Sequence, residues 1–452
     1  MAGIWRSRLI NAVLAVLQRP RAGAGARSRL LQLFSTSVVD QIMLSAGNFF
    51  VGFMLIRRTS DADYGMFVLV QSAILLLVSG QNAWLSGPLA VLAPKRPPDQ
   101  RRAMVGAVAG SQIRLLVWAT AASLLVPLAG LLLGRLTTLV AAVAAVGILA
   151  AAASLQREYV RSVLFVYSRS NDVFVSDAFY VAALLVGALL AAFGPAPRVL
   201  WAVAGVLAAA WCGGAVAHRS LGRNPGWVGG DARPYWREMR PLGIWSALGA
   251  VIYWSFGQSY NYMLASRVNL TAVADVNAAR LLLMPAFVVA LGIKSLLIPS
   301  AASWLAESGL ARLVKRLAVF AAGIVVLDLM YVACVWLLRD WMTDDLLHKH
   351  IGDRDALLLL WASIAIIGLV RDVLQCALIA LESFRPMAWL TGLSAVISLS
   401  LTWFGLAWWG PRAALIGVIS GECVNLLGVL WLLRRRLAAS RAAPARAPDA
   451  PA

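Results

Sequence analysis

The residues of this sequence that could do chemistry stand where chemistry is costly. Asp40, Arg114, Asp177, Lys294, Asp328, Arg371, Asp372 and Glu422 each interrupt a long apolar run. Arg157, Glu158 and Arg161 join them if the fourth run continues to Ser168, and Arg157 and Arg161, four apart, then share a helix face. A charge in hydrocarbon costs at least about 2.5–3.5 kcal/mol on insertion scales, so those that persist usually face a bundle interior or a wet cavity. One reading is that Arg114, Arg157, Arg280, Lys294 and Arg371 line a cationic cavity. Guanidinium forks suit phosphate and carboxylate oxygens because they bind them bidentately, and a lipid-linked diphosphate sugar is such an anion. The other reading makes Arg157-Glu158 and Arg371-Asp372 ion pairs or snorkelling groups near the membrane boundary. Asp40, Asp328, Asp372 and Glu422 are candidates for proton or sodium coupling, or they satisfy polar neighbours.

Gln258, Ser259, Tyr260, Asn261 and Tyr262 form a polar, aromatic stretch in the seventh run. Gln258 and Asn261 could bind sugar hydroxyls beside stacking rings; the alternative is an interfacial aromatic belt. The best enzyme-like motif is Asp61-Ala62-Asp63, a carboxylate pair that could hold a divalent cation. His348-Lys349-His350 lacks a third ligand and reads as a solvated loop. The sequence has neither a phosphate-binding glycine loop nor a nucleophile elbow, and no catalytic residue, metal or cofactor is expected.

The elements that must position these groups follow from composition. Of 452 residues, 61% are apolar and 13% charged, whereas soluble domains carry about 45–50% and about 25%. The chain is therefore read as an all-α integral membrane protein. Twelve apolar runs serve as spans, near 34–56, 64–93, 104–134, 136–160, 172–195, 198–218, 241–266, 278–302, 315–338, 355–381, 386–409 and 412–433. Each can cross the roughly 30 Å of hydrocarbon, and continuous apolarity excludes a β-barrel. The net charge of +19 belongs to the membrane boundary, not to nucleic acid, because no soluble domain carries it.

Most of the 40 basic residues fall in one set of loops, including Lys95, Arg96, Arg101, Arg102, Arg312, Lys315 and Arg316, while Asp340, Asp344, Asp345, Asp353 and Asp355 fall in the other. The positive-inside rule then places both termini in the cytoplasm. The expected organisation is a basic N-terminal segment (1–33), a six-helix lobe (34–218), a cytoplasmic linker (219–240), a second six-helix lobe (241–437) and a disordered tail (438–452). Arg6, Arg8 and the apolar Leu9 to Leu17 imitate a secretory signal, but Arg19 and Arg21 favour an amphipathic lead-in on the membrane surface. Cys212, Cys334, Cys376 and Cys423 lack paired spacing and read as small core residues.

The offset that carries Arg157-Glu158 onto Arg371-Asp372 also carries Pro197-Arg198 onto Pro411-Arg412. A similar offset pairs Pro88 with Pro299. These matches favour a duplication. Six spans separate the copies, so the lobes insert alike and are related by a pseudo-two-fold axis along the membrane normal, which is transporter architecture.

Three stretches resemble the polysaccharide flippases of the multidrug, oligosaccharidyl-lipid and polysaccharide exporter superfamily. They are Asp61-Ala62-Asp63-Tyr64-Gly65-Met66-Phe67, Asn277-Ala278-Ala279-Arg280, and Gly410-Pro411-Arg412-Ala413-Ala414-Leu415-Ile416-Gly417 followed by Ser420 and Arg434-Arg435-Arg436. The sequence departs from the family where Ala274-Asp275-Val276 replaces Gly-x-Tyr, and where Asn261 takes the place of an acidic residue in the seventh span. The resemblance implies a flippase of the bacterial inner membrane that carries an undecaprenyl-diphosphate-linked oligosaccharide to the outer leaflet by alternating access. Such a protein works among membrane lipids, beside a polysaccharide polymerase and a chain-length regulator. The alternatives are a multidrug-type cation antiporter and a membrane glycosyltransferase or polymerase using Asp61 and Asp63.

Overall fold

The computed structural model describes residues 26–222, 230–381 and 383–442. The expected lead-in helix, the centre of the expected linker (223–229) and the end of the expected tail (443–452) lie outside these residues. Every element among the described residues is helical. In chain order they are α1 (Ala26–Arg58), α2 (Asp61–Gln81), α3 (Gly87–Leu92), α4 (Pro98–Leu132), α5 (Thr138–Val166), α6 (Ser170–Phe193), α7 (Arg198–Gly222), α8 (Arg233–Arg267), α9 (Leu270–Leu282), α10 (Met284–Leu337), α11 (Arg354–Ala380), α12 (Phe384–Trp409) and α13 (Arg412–Ala442). Ten helical segments are long and apolar enough to cross a membrane, and the bent pair formed by α9 and the start of α10 is an eleventh. The remaining expected span, the seventh, corresponds to α8 and fails this test. It is 35 residues long, but its first turns carry Arg233, Arg237, Glu238 and Arg240 and its later turns the Gln258–Tyr262 stretch.

Local chemistry sets the helix ends. Ser60 caps α2 by accepting from the Asp63 amide at 3.1 Å, and Asp61 and Asp63 occupy its first turn, where carboxylates oppose the helix dipole. That accounts for the motif considered above for metal binding. Thr137 caps α5 and Asn269 caps α9 in the same manner, at 3.3 and 2.7 Å. A π-helical turn, Asn82–Ser86, joins α2 to α3 just ahead of Pro88. A proline has no N–H to continue an α-helical ladder, which favours an irregular turn there.

The eighth and ninth spans differ most from expectation. The eighth breaks at Leu283, with a bend of 57° between α9 and the start of α10. Instead of ending in a loop, α10 runs on to Leu337, interrupted only at Gly309, whose φ of 75° needs a residue without Cβ. The Tyr331 hydroxyl donates to the Leu282 carbonyl at 2.7 Å. A straight helix would hold these two groups roughly 70 Å apart at 1.5 Å rise per residue. The chain therefore doubles back at Gly309, and the two arms run antiparallel.

The chain divides into two compact units, one ending at Val251 and one beginning at Ile252. The division falls inside α8, not in the expected 219–240 linker. Met239 is buried in the core of the first unit with Met104, Leu89, Tyr159 and Leu164, and Tyr235 and Trp236 pack against it. The second half of α8 buries Phe256, Tyr260 and Leu264 in the second unit. The linker is correspondingly short: α7 runs through Gly222 and α8 starts at Arg233. Pro234 stands in the first turn of a helix, where its missing N–H costs nothing. At the other end, α13 continues to Ala442, through residues 438–442 of the expected tail.

Each unit has its own core. In the first, the buried Tyr159 hydroxyl donates to the Val105 carbonyl at 2.8 Å. Helices α6 and α7 touch through Gly187 and Gly205, where a Cβ on Gly205 would lie 2.7 Å from the Gly187 Cα. Small residues let backbones approach this closely. In the second, Leu313, Leu317, Cys376, Ala377, Leu378 and Val429 form the centre.

Candidate functional site

Five of the intramembrane charges of the first unit, Asp40, Arg157, Glu158, Arg161 and Asp177, gather into one cluster built by α1, α5 and α6. The Arg157 Nη2 donates to Asp177 Oδ1 at 2.5 Å, and Nη1 donates to Glu158 Oε1 at 2.8 Å. Its guanidinium also lies 3.8 Å from the Tyr180 ring centroid. One turn along α5, Arg161 donates to the other Asp177 oxygen at 2.8 Å and to Asp40 Oδ2 at 3.0 Å. The side chain of Asp177 is entirely buried. Glycines at 213 and 214 on α7 leave room for Arg157. With all groups ionised, three carboxylates face two guanidiniums, so the cluster carries one negative charge in excess. The second oxygen of Asp40 is buried with no hydrogen-bond partner.

The second unit holds a separate cluster from α10, α11 and α13. Arg371 reaches both Glu422 oxygens, at 3.0 Å to Oε1 and 2.8 Å to Oε2. It also donates to Asp372 at 3.1 Å, and Lys294 Nζ lies 2.8 Å from the same Asp372 oxygen. Two cations meet two carboxylates here, so the charge balances. Arg157, Lys294 and Arg371 are therefore ion-paired inside their own units, and the ion-pair reading of these residues describes their geometry. Asp372 partners both Lys294 and Arg371, Glu422 partners Arg371, and Asp40 is held by Arg161.

The polar stretch on α8 is also brought together with other groups. Asn277 on α9 donates to the buried Asn261 carbonyl oxygen at 2.7 Å, and Asn261 donates to Gln258 at 3.1 Å. Beside them, Tyr260 and Phe287 both meet the Trp361 ring edge-on, at centroid distances of 6.1 and 6.0 Å. Trp361 is fixed by donating from Nε1 to the Val276 carbonyl at 2.9 Å. The Arg280 guanidinium stands 5.3 Å from the same ring, and Arg280 has no carboxylate partner among the described residues. Arg280 is thus a half-buried cation without a carboxylate, flanked by aromatic rings and amides. That arrangement can hold an anionic oxygen and a sugar ring together.

Arg114 joins neither cluster. It is exposed on α4 between Ile113 and Leu115, themselves 43% and 65% exposed. Asp328 is buried on α10, with its Oδ2 unpartnered. The acidic loop ahead of α11 lines a cleft of about 610 Å³ with Asp340, Thr343, His350, Asp353, Arg354 and Arg412. Its charges bind one another: Arg354 meets Asp340 at 2.6 Å, and Arg412 grips both oxygens of Asp353 at 2.9 and 2.7 Å. The Arg412 hydrogen bonds hold the Asp353 carboxyl below the usual carboxylate range.

Arg161, Asp177 and Asn277 belong to these constellations, although the sequence assigns them neither a cavity-lining nor an ion-coupling role. The four-residue spacing of Arg157 and Arg161 was the available signal for the first. Asp177, a lone carboxylate in an apolar run, needed a partner, but nothing in the sequence named which arginine.

No protein-family model matches the chain, and no curated protein matches it. Solved structures do. An inward-facing multidrug resistance MATE family transporter of the MOP superfamily superposes with a TM-score of 0.71 at 15% identity, covering 96% of this chain and 99% of that one. An outward-facing structure described in the same terms gives 0.61 at 15% identity, over 92% and 96%. The lipid II flippase MurJ, in an inward closed conformation, gives 0.67 at 10% identity, over 89% and 87%. The chain has the fold that these transporters and this flippase share, along nearly its whole length.

Proposed function

We propose that this chain is a membrane transporter that moves an undecaprenyl-diphosphate-linked oligosaccharide from the inner to the outer leaflet by alternating access. It would serve surface or exopolysaccharide synthesis in a bacterial inner membrane, with both termini cytoplasmic and a polymerase and chain-length regulator as neighbours. The observation that carries this reading is the full-length likeness in fold to MATE transporters and to a protein named as a lipid II flippase. Arg280 fits the role of an anion ligand, because its donors are not taken by a carboxylate and the Trp361 ring backs it. Gln258 and Asn261 supply amides beside it for sugar hydroxyls. The excess negative charge shared by Asp40, Glu158 and Asp177 makes the first-unit cluster the place for a coupling cation or proton, with Asp40 Oδ1 open to receive it.

That same excess of carboxylate favours a second reading, export of small cations, which the MATE likeness also allows. The glycosyltransferase alternative draws no support from the likeness in fold, and its Asp61 and Asp63 stand in the first turn of α2, where carboxylates also oppose the helix dipole. The test is a strain lacking the gene, scored for surface glycan and for lipid-linked glycan retained in the inner leaflet. Restoration by the wild-type chain and failure of Arg280→Ala, at equal membrane abundance, supports glycan flipping. Unchanged surface glycan together with raised accumulation of cationic drugs in the deletion strain would establish the second reading instead.

A further inference from the structure

Helices α4 and α8 of the first unit touch at their basic ends and then part. The Trp236 indole on α8 donates to Ser111 Oγ on α4 at 3.0 Å, and a Cβ on Gly230, just ahead of α8, would lie 3.9 Å from that of Ala107. The contacts advance together along both chains, so the helices run parallel. Beyond Ser111 and Trp236 the residues that continue the touching faces are exposed: Leu115 and Trp118 on α4, Ile244 on α8. An apolar groove therefore opens between the helices, where Pro241 interrupts the α8 ladder. Its floor is cationic. Arg114 stands one turn past Ser111 and Arg240 one turn past Trp236, which puts both at one level, and Arg237 shares the face of Arg240. All three are exposed, and none has a carboxylate partner among the described residues. The charge pattern gives the same level independently. No charge follows Arg114 before Arg135, and none follows Arg240 before Arg267. The uncharged run Leu115–Leu132 covers roughly 27 Å at 1.5 Å per residue, close to the thickness of the hydrocarbon layer. Both arginines thus lie at headgroup depth.

Unpaired guanidiniums at that depth, with apolar walls running on into the membrane, suit an amphiphile with a phosphate head and hydrocarbon tails. We propose that the groove between α4 and α8 is a binding site for an anionic phospholipid of the phosphatidylglycerol class. Arg114, Arg237 and Arg240 hold its phosphate, Trp118 packs beside the glycerol as interfacial tryptophans do, and the acyl chains lie along Ile244 and Leu248. An acidic protein segment would match the arginines but not the apolar walls that continue from them. A lipid seated here braces the start of α8, the helix whose two halves belong to different units. The site lies apart from Arg280, and it requires only that these helices stand in a membrane, not that the chain moves glycan.

The test is equilibrium binding of fluorescently labelled phosphatidylglycerol to the purified full-length chain in neutral detergent, without glycan. Binding is expected to saturate, to be displaced by unlabelled phosphatidylglycerol and not by phosphatidylcholine, and to weaken as salt is raised. Changing Arg114→Gln and Arg240→Gln together should weaken it at least about tenfold. The corresponding pair of lysine variants keeps the charge without the planar fork and should fall between. Exposed Arg135→Gln removes a charge beyond the other end of α4 and should bind as wild type does. Equal displacement by phosphatidylcholine or by inorganic phosphate, or undiminished binding by the glutamine pair, overturns the site. Undecaprenyl diphosphate that displaces the probe better than phosphatidylglycerol does would assign the groove to a carrier lipid and overturn it as well. Surface glycan is scored separately, so a chain that binds phosphatidylglycerol but moves no glycan would refute the transport reading and leave this site standing.

Discussion

The Arg157 Nη2 lies 2.5 Å from Asp177 Oδ1, with Asp177 wholly buried. Under the internal repeat Arg157 corresponds to Arg371, and the structure puts both on equivalent helices, α5 and α11. Their main partners, however, come from different places. Asp177 is on α6, the next helix, whereas Glu422 is on α13, the last. What the two units share is a buried arginine and the acidic residue that follows it; each has found its own second carboxylate. The outcome is one excess negative charge in the first cluster and balance in the second.

Removing Asp177 should therefore be among the most destabilising single changes in the chain. Asp177→Ala leaves Arg157 and Arg161 short of a buried partner, a loss of about 3–5 kcal/mol for broken buried pairs. Replacing Arg157 and Asp177 together by apolar residues of similar volume should cost less than Asp177→Ala alone. Thermal unfolding of the purified proteins in detergent tests both. An Asp177→Ala protein as stable as wild type would mean that the cluster is not formed.

Gly205→Ala probes the packing that holds α6 against α7. The added methyl would fall 2.7 Å from the Gly187 Cα, and backbone on both sides cannot yield as a side-chain tip does. Overpacking of this kind costs about 1–3 kcal/mol. Gly249→Ala, where a Cβ meets nothing within 4 Å, is the matched control and should unfold at the wild-type temperature or slightly above it. Equal unfolding temperatures for the two variants would argue against the close contact.

Much of the fold was legible because hydrocarbon imposes a strict length and polarity on spans. The positions of α4 to α7 and α11 to α13 follow from apolar runs alone. The exceptions have physical causes. The break at Leu283 depends on Pro285 and on a hydroxyl from the returning arm, which no local pattern announces. The boundary between units lies within α8 because Met239 and Tyr260 are buried in different cores, a tertiary preference. Arg114, Arg157 and Arg280 all read alike in sequence, as cations in apolar runs. Structure separates them into an exposed residue, a paired one and one resting beside Trp361 without a carboxylate.

Acid should weaken the loop ahead of α11. Asp353 is held below the usual carboxylate range by Arg412, so its folded-state value lies below its unfolded one. A group depressed in this way contributes stability that is complete above the unfolded value, about 3.9, and is lost as the pH falls through the folded value. The wild-type unfolding temperature should accordingly decline below about pH 4. Asp353→Asn should be less stable than wild type near neutral pH and should lose less on acidification. The difference should shrink in high salt, because both side chains are about half exposed. Parallel pH profiles for the two proteins would show that the pair contributes nothing.

Arg280 provides the sharpest test of the proposed glycan transport. If it holds a phosphate oxygen of the lipid-linked glycan, Arg280→Ala loses a charge-assisted hydrogen bond of about 1.5–3 kcal/mol, or roughly 10- to 100-fold in affinity. Arg280→Lys keeps the charge but not the planar fork or the stacking on Trp361, so it should restore only part of the export. Trp361→Leu should resemble the lysine variant, because it leaves the guanidinium unsupported and frees the Val276 carbonyl. Arg114→Ala is the comparison within the same assay, since Arg114 lies exposed on α4. The measurement is surface glycan per unit of membrane protein in a deletion strain complemented with each variant. The expected order is wild type, then Arg280→Lys and Trp361→Leu, then Arg280→Ala. Full export by Arg280→Ala would remove the anion from the site beside Trp361, and with it the reason for assigning a diphosphate substrate to that site.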